Sequence, residues 1–85
     1  MPERVKPLRW HAWVRTTNGH ISSYVRVRAW SLEEAVERAQ RKAYKEWREE
    51  KSKKEREQFP HPLEDWCVHG VSLHADDVNR LHEFR

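Results

Sequence analysis

Seven residues in the N-terminal third of the chain carry the chemistry: Arg9, His11, Trp13 and Arg15, then Tyr24, Arg26 and Arg28. Each set alternates with apolar or small residues, and period-two alternation puts each set on one face of a strand. Guanidinium groups pair with phosphates and carboxylates. Exposed aromatic rings stack on bases or act as anchors in protein contacts. The pattern therefore predicts a basic and aromatic contact face. Asn18-Gly19 separates the two runs and predicts a two-residue type I′ hairpin turn, with Thr17 opposite His20. That turn fixes the register. One face then pairs Leu8 with Ala29, Trp10 with Val27, Ala12 with Val25 and Thr16 with Ile21. The other pairs Arg9 with Arg28, His11 with Arg26, Trp13 with Tyr24 and Arg15 with Ser22. A slip of one residue would mix the two sets.

Arg9 opposite Arg28 is unfavourable, because like charges directly across a strand pair repel. The nearest acid in sequence is Glu3, so the pattern reads in two ways: an anionic partner relieves the repulsion, or the long arginines splay into water at little cost. Trp13 beside Tyr24 reads in two ways: as a cross-strand aromatic pair, or as a stacking residue flanked by arginines.

Other chemistry is sparse. The only glycines are Gly19 and Gly70, so the chain has no phosphate-binding glycine loop. No Gly-x-Ser-x-Gly occurs, and Cys67 lacks a catalytic signature around it. Cys67, His69 and His74 are candidate metal ligands, but structural zinc sites use paired cysteines or a His-x₃₋₅-His spacing that suits a helix better than a strand. A buried structural cysteine fits Cys67 better, and no metal or cofactor is expected. Glu64-Asp65 beside Pro62 reads as capping or solvated. No catalytic residue is assigned, and the expectation is a protein that is not an enzyme.

The elements that position the face follow from the same sequence. Strands are expected from about Leu8 to Thr17 and from about His20 to Trp30. Ser31-Leu32-Glu33-Glu34 is a capping box that opens a helix, with both acids at the positive helix terminus. Leu32, Ala35, Val36, Ala39, Ala43 and Trp47 form one apolar stripe, with Tyr44 beside it, and this stripe covers the apolar hairpin face. Residues 48–58 contain no apolar side chain and predict a solvated helical extension that frays near Pro60. A third strand is expected over Trp66–His74. Its phase is ambiguous, and a bulge at Gly70 turns Trp66, Val68, Val71 and Leu73 inward together. Val78, Leu81 and Phe84 predict a short C-terminal helix capped by Asp76 or Asp77.

These elements predict a single α+β domain over residues 1–85. A small antiparallel sheet has one long helix packed on one face, in the order ββαβ, with residues 1–7 as a flexible N-terminus. Trp10, Trp47 and Trp66 are expected in the core, because hydrophobic residue types make up only 36% of the chain and large rings must supply the buried area. The net charge of +3 hides a gradient. Residues 1–30 hold six Lys/Arg against one acid, and residues 58–85 hold two against five. Such a gradient suits a directional electrostatic contact at the hairpin. A single cysteine excludes an internal disulfide and points to a reducing compartment. With no signal-like or membrane-spanning apolar run, a cytoplasmic protein is expected.

The stretch Tyr24-Val25-Arg26-Val27-Arg28-Ala29-Trp30-Ser31-Leu32-Glu33-Glu34-Ala35 has a recurrent form, an alternating strand followed by Ser-x-Glu-Glu-Ala opening a helix. It resembles the short DpnD/PcfM-like proteins of phages and plasmids and several small anti-CRISPR proteins of phages. It is also similar to the three-stranded DNA-binding domains of phage integrase arms and plant ethylene-response factors. The last similarity implies DNA contacts by Arg9, Trp13, Arg15, Arg26 and Arg28. Those domains place three strands before the helix, whereas here two precede it, so the likeness leans toward the mobile-element proteins. It implies a binding protein that modulates or inhibits a host protein or protein–nucleic-acid complex, in the host cytoplasm if phage-encoded. Direct DNA or RNA binding by the same face is the alternative. As a molecule, a monomer or a weak homodimer joined at a strand edge is expected.

Overall fold

A computed structural model describes residues 6–78. The order is ββαβ: β1 (Leu8–Thr16), β2 (Ser22–Ala29), α1 (Leu32–Glu50), a short helix α2 (Lys53–Gln58), a 3-10 turn at Leu63–Asp65, and β3 (Trp66–Leu73). The three strands form one antiparallel sheet in the order β2-β1-β3, with α1 packed on one face. β1, which carries four of the seven candidate residues, is thus the central strand.

The hairpin register is the one that alternation requires, from Leu8 opposite Ala29 to Arg15 opposite Ser22. The turn itself differs from a two-residue type I′ loop. That turn needs positive φ at both central residues, and only Gly19 has it, at 75°. Thr16 instead brackets a four-residue loop: its N–H donates to Ile21 O at 2.9 Å, and its carbonyl accepts from Gly19 N at 2.8 Å. Asn18 Oδ1 accepts from His20 N at 3.0 Å and from the Thr16 hydroxyl at 2.7 Å. The Asn side chain thus closes the loop, as Asx residues do in turns, and the register survives the change of turn.

Ser31 caps α1, its hydroxyl accepting from Glu34 N at 3.2 Å. The reciprocal half of the capping box is replaced, because the Glu34 carboxylate pairs with Arg38 one turn on, at 2.8 Å. Ala35, Ala39, Ala43 and Trp47 form the buried line of the helix, and three alanines let its axis lie close to the sheet. Leu32 and Val36 were expected on this stripe but are exposed, at 53% and 37%. The contact stripe is narrower than the apolar one because alanine-spaced contacts bring only one line of the helix onto the sheet. The extension over 48–58 is solvated but not continuous. α1 stops at Glu50, Lys51 is extended, and Ser52 caps α2 by accepting from Glu55 N. No residue of α2 is buried.

β3 carries the bulge. Trp13 faces Gly70 while Val14 faces Val68, which leaves His69 as the extra residue. Trp66 is buried, and Val68, Val71 and Leu73 pack half-buried against the core, as a bulge there predicts. Cys67 is consequently exposed on the outer face, which corrects its reading as a buried structural cysteine. Trp10, Trp47 and Trp66 all lie in the core. Residues 75–78 form a 3-10 turn, and the expected C-terminal helix beyond them lies outside the described residues, as do residues 1–5.

The helix also guards the sheet edges. Arg38 Nη1 donates to Arg28 O and Lys42 Nζ to Arg26 O, each at 2.6 Å. Gln40 Nε2 donates to Trp66 O on β3 at 2.8 Å. Side chains placed on edge carbonyls oppose strand addition by another chain. None of the helices among the described residues is long and apolar enough to cross a membrane.

Candidate binding face

The sheet face opposite α1 is uncovered, and all seven sequence-predicted residues stand on it. The register sets Arg9 beside Arg28, His11 beside Arg26, and Trp13 beside Tyr24. On the other side of β1, Gly70 lies next to Trp13, Ser72 next to His11 and Cys67 next to Arg15. None of these outward strand positions holds an acid.

Four rings form a ribbon across the sheet, from β2 over β1 to His74, which follows the end of β3. Trp13 meets Tyr24 edge to face at 5.3 Å between centroids, His11 stacks on Tyr24 at 5.7 Å, and His74 stacks on His11 at 5.3 Å. The His11 ring also hydrogen-bonds the Tyr24 hydroxyl through Nδ1. Trp13 packs over Gly70, where an added Cβ would sit 3.5 Å from the ring. Trp13 and Tyr24 nonetheless remain 48% and 47% exposed, so the mutual contacts leave about half of each ring open.

The four arginines fall into two classes. Arg15 is engaged, donating from Nε to His69 Nε2 at 2.9 Å. Arg9 is clamped by Asp77. Asp77 Oδ2 accepts from the Arg9 backbone N–H at 2.7 Å and from Arg9 Nε at 3.1 Å, and Oδ1 accepts from Nη2 at 3.1 Å. The hydrogen bond to Asp77 raises the Arg9 pKa above its ordinary value. Desolvation opposes the rise, and the charges of Asp77 and Asp76 add to it. The anion that relieves the repulsion between Arg9 and Arg28 therefore comes from the chain itself, 68 residues away, and not from a partner. Asp77 is buried. Arg26 and Arg28 are exposed, and among the described residues their guanidinium groups have no hydrogen-bond or ion-pair partner.

A raised arginine pKa means that the Arg9 contribution is fully present below arginine's ordinary, strongly alkaline value and is lost only as pH rises through the higher folded value. Arg9 therefore adds no pH dependence near neutrality. Asp77→Asn is expected to lower the urea midpoint more than Asp76→Asn, since Asp77 is buried with three bonds and the Asp76 side chain is 76% exposed. Equal midpoints for the two variants would show that the clamp contributes nothing.

Two open grooves flank the ribbon. One, of about 420 Å³, is lined by Trp13, Arg15, Ser22, Tyr24 and His69. The other, of about 260 Å³, is lined by Arg9, His11, Arg26, Arg28 and His74. No family model, curated protein or solved structure matches the chain. His69, His74 and Asp77 are the members of this face that the sequence reading missed. For the histidines a signal existed, since Cys67, His69 and His74 already stood out as polar groups in the third strand. Among the described residues, no three His, Cys, Asp or Glu side chains converge as a metal site would require.

Proposed function

We propose that this is a non-enzymatic binding protein that engages a host macromolecular complex through its open sheet face. In this reading it modulates or inhibits that complex, as small phage and mobile-element proteins do. The observation that carries the proposal is the pair Arg26 and Arg28, unpaired among the described residues, beside the half-exposed Trp13 and Tyr24. A surface built only for solubility intersperses both signs of charge. Here the outward strand positions hold no acid, and the neutralising carboxylate stands at the rim beside Arg9. Aromatic and arginine side chains together are the residue types that dominate binding energy in macromolecular contacts. The groups on the face are cationic donors and rings, and no metal, cofactor or catalytic role is proposed for them.

Affinity capture from a bacterial lysate tests the reading. The native chain is expected to retain partners that Arg26→Glu with Arg28→Glu loses, because reversing two charges in a complementary contact turns attraction into repulsion. Lys45→Glu with Lys54→Glu, both exposed on the helices, serves as the control of equal net charge. Capture of the same partners by the double variant would overturn the face as the contact surface.

A further inference from the structure

We infer that the ligand of this face is single-stranded nucleic acid: an unpaired base stacks against Trp13 in the larger groove, and the backbone phosphates lie along Arg26 and Arg28. The inference rests on the reading of the sheet face as the contact surface and names what that surface holds.

The order of groups across the face supports it. Trp13, Tyr24, Arg15 and His69 line the open 420 Å³ groove together. The hydrogen bond from Arg15 Nε to His69 Nε2 holds the guanidinium there. Rings and a guanidinium lining one open slot suit an unstacked base, which single strands offer and duplexes hide. Ser22 supplies a hydroxyl at the same groove, able to donate to or accept from a base edge. On β2, Arg26 and Arg28 follow Tyr24 at successive outward positions, so cations continue from the slot along one strand. No acid stands among the outward strand positions, and the exposed Asp76 carboxylate lies at the rim beside Arg9, 3.8 Å from its guanidinium.

Charge counting favours a single strand over a duplex. Arg9 is already neutralised by Asp77, and Arg15 is held by His69. That leaves two guanidinium groups without a partner among the described residues, with Arg15 as a third cation that its imidazole partner does not neutralise, still few for a duplex held by phosphate contacts alone. Stacking adds affinity that does not depend on salt and is available only from exposed bases. A carboxylate-rich protein would also satisfy Arg26 and Arg28. Such a partner can also anchor on Trp13, and the oligonucleotide and capture experiments separate the two.

Fluorescence anisotropy with labelled oligo-dT, oligo-U and a blunt duplex of equal length decides the matter. The single strands are expected to bind more tightly than the duplex. Trp13→Ala should weaken single-strand binding by about 5- to 150-fold, the range of one lost base stack. Trp13→Phe should retain most of it, because the ring is kept. Arg26→Gln with Arg28→Gln should reduce the log–log salt slope by about 1.4, roughly 0.7 per phosphate contact on a single strand. Phe59→Ala removes an exposed ring on the helix side of the molecule and should change nothing. Circular dichroism of each variant separates lost binding from lost folding. Equal or tighter binding of the duplex, or undiminished binding by a folded Trp13→Ala, would overturn the inference. So would failure to bind any oligonucleotide while lysate capture still depends on Arg26 and Arg28, an outcome that assigns the face to a protein partner. Capture that ignores those arginines would instead defeat the face itself.

Discussion

Trp66→Ala is expected to unfold the domain or leave it barely folded. Trp66 is 1% exposed and is the largest fully buried side chain. Its indole packs at 6.0 Å from Trp47 and 6.4 Å from His61, and Nε1 donates to the His61 carbonyl at 3.1 Å. Truncating a large buried aromatic costs about 3–5 kcal/mol, and leaving the His61 carbonyl without a donor adds about 1–3 kcal/mol. Natural domains hold about 0.05–0.15 kcal/mol of stability per residue, so an 85-residue chain has little to spare. The residue also begins β3, and its loss loosens the strand that completes the sheet under the open face. Near-ultraviolet circular dichroism and urea titration read the outcome. A native urea midpoint in this variant would mean that the core is not built around Trp66.

The second large effect is at Trp47, the last buried residue of α1. Its ring stacks near Tyr44 at 6.2 Å and meets His61 edge to face at 5.5 Å. Trp47→Ala should also cost about 3–5 kcal/mol, since it removes the ring that joins the end of α1 to Trp66. Residues 52–58 offer the contrast. Replacing them with a flexible linker of equal length should change stability by only about 0.5 kcal/mol, as at surface positions generally. α2 buries no residue, and its Lys51–Glu55 pair is exposed at 3.9 Å. Differential scanning calorimetry on the two variants is sufficient. If the linker variant melts lower than Trp47→Ala, the second helix supports the fold in a way its surface does not explain.

Local signals carried far in this chain. Alternation from Leu8 to Ala29, punctuated by Asn18-Gly19, was enough to state the hairpin register residue by residue. Ser31 announced α1, and the Ala35-Ala39-Ala43-Trp47 spacing named the face that touches the sheet. The break after Glu50 was legible too: Ser52-Lys53-Lys54-Glu55 has the Ser-x-x-Glu form of a second capping box, and Ser52 does accept from Glu55 N. The absence of apolar residues around it made a single continuous extension look simpler. The turn was read correctly for its register and incorrectly for its type, because Asn18 uses its side chain to close the loop instead of entering positive φ.

By itself, then, the sequence determined the main elements, the hairpin register and the hairpin's share of the open face. These follow from period-two alternation, helical spacing and capping, which act over a few residues and leave a trace in the order of side chains. The tertiary structure alone decided which arginines are spent. Asp77 lies 68 positions from Arg9 and is brought there by β3 pairing with the far side of β1. His69 reaches Arg15 through a bulge whose position depends on both strands. No periodicity records such contacts, because they arise from how separate elements dock. Docking leaves Arg26 and Arg28 as the guanidinium groups of the open face without a partner among the described residues.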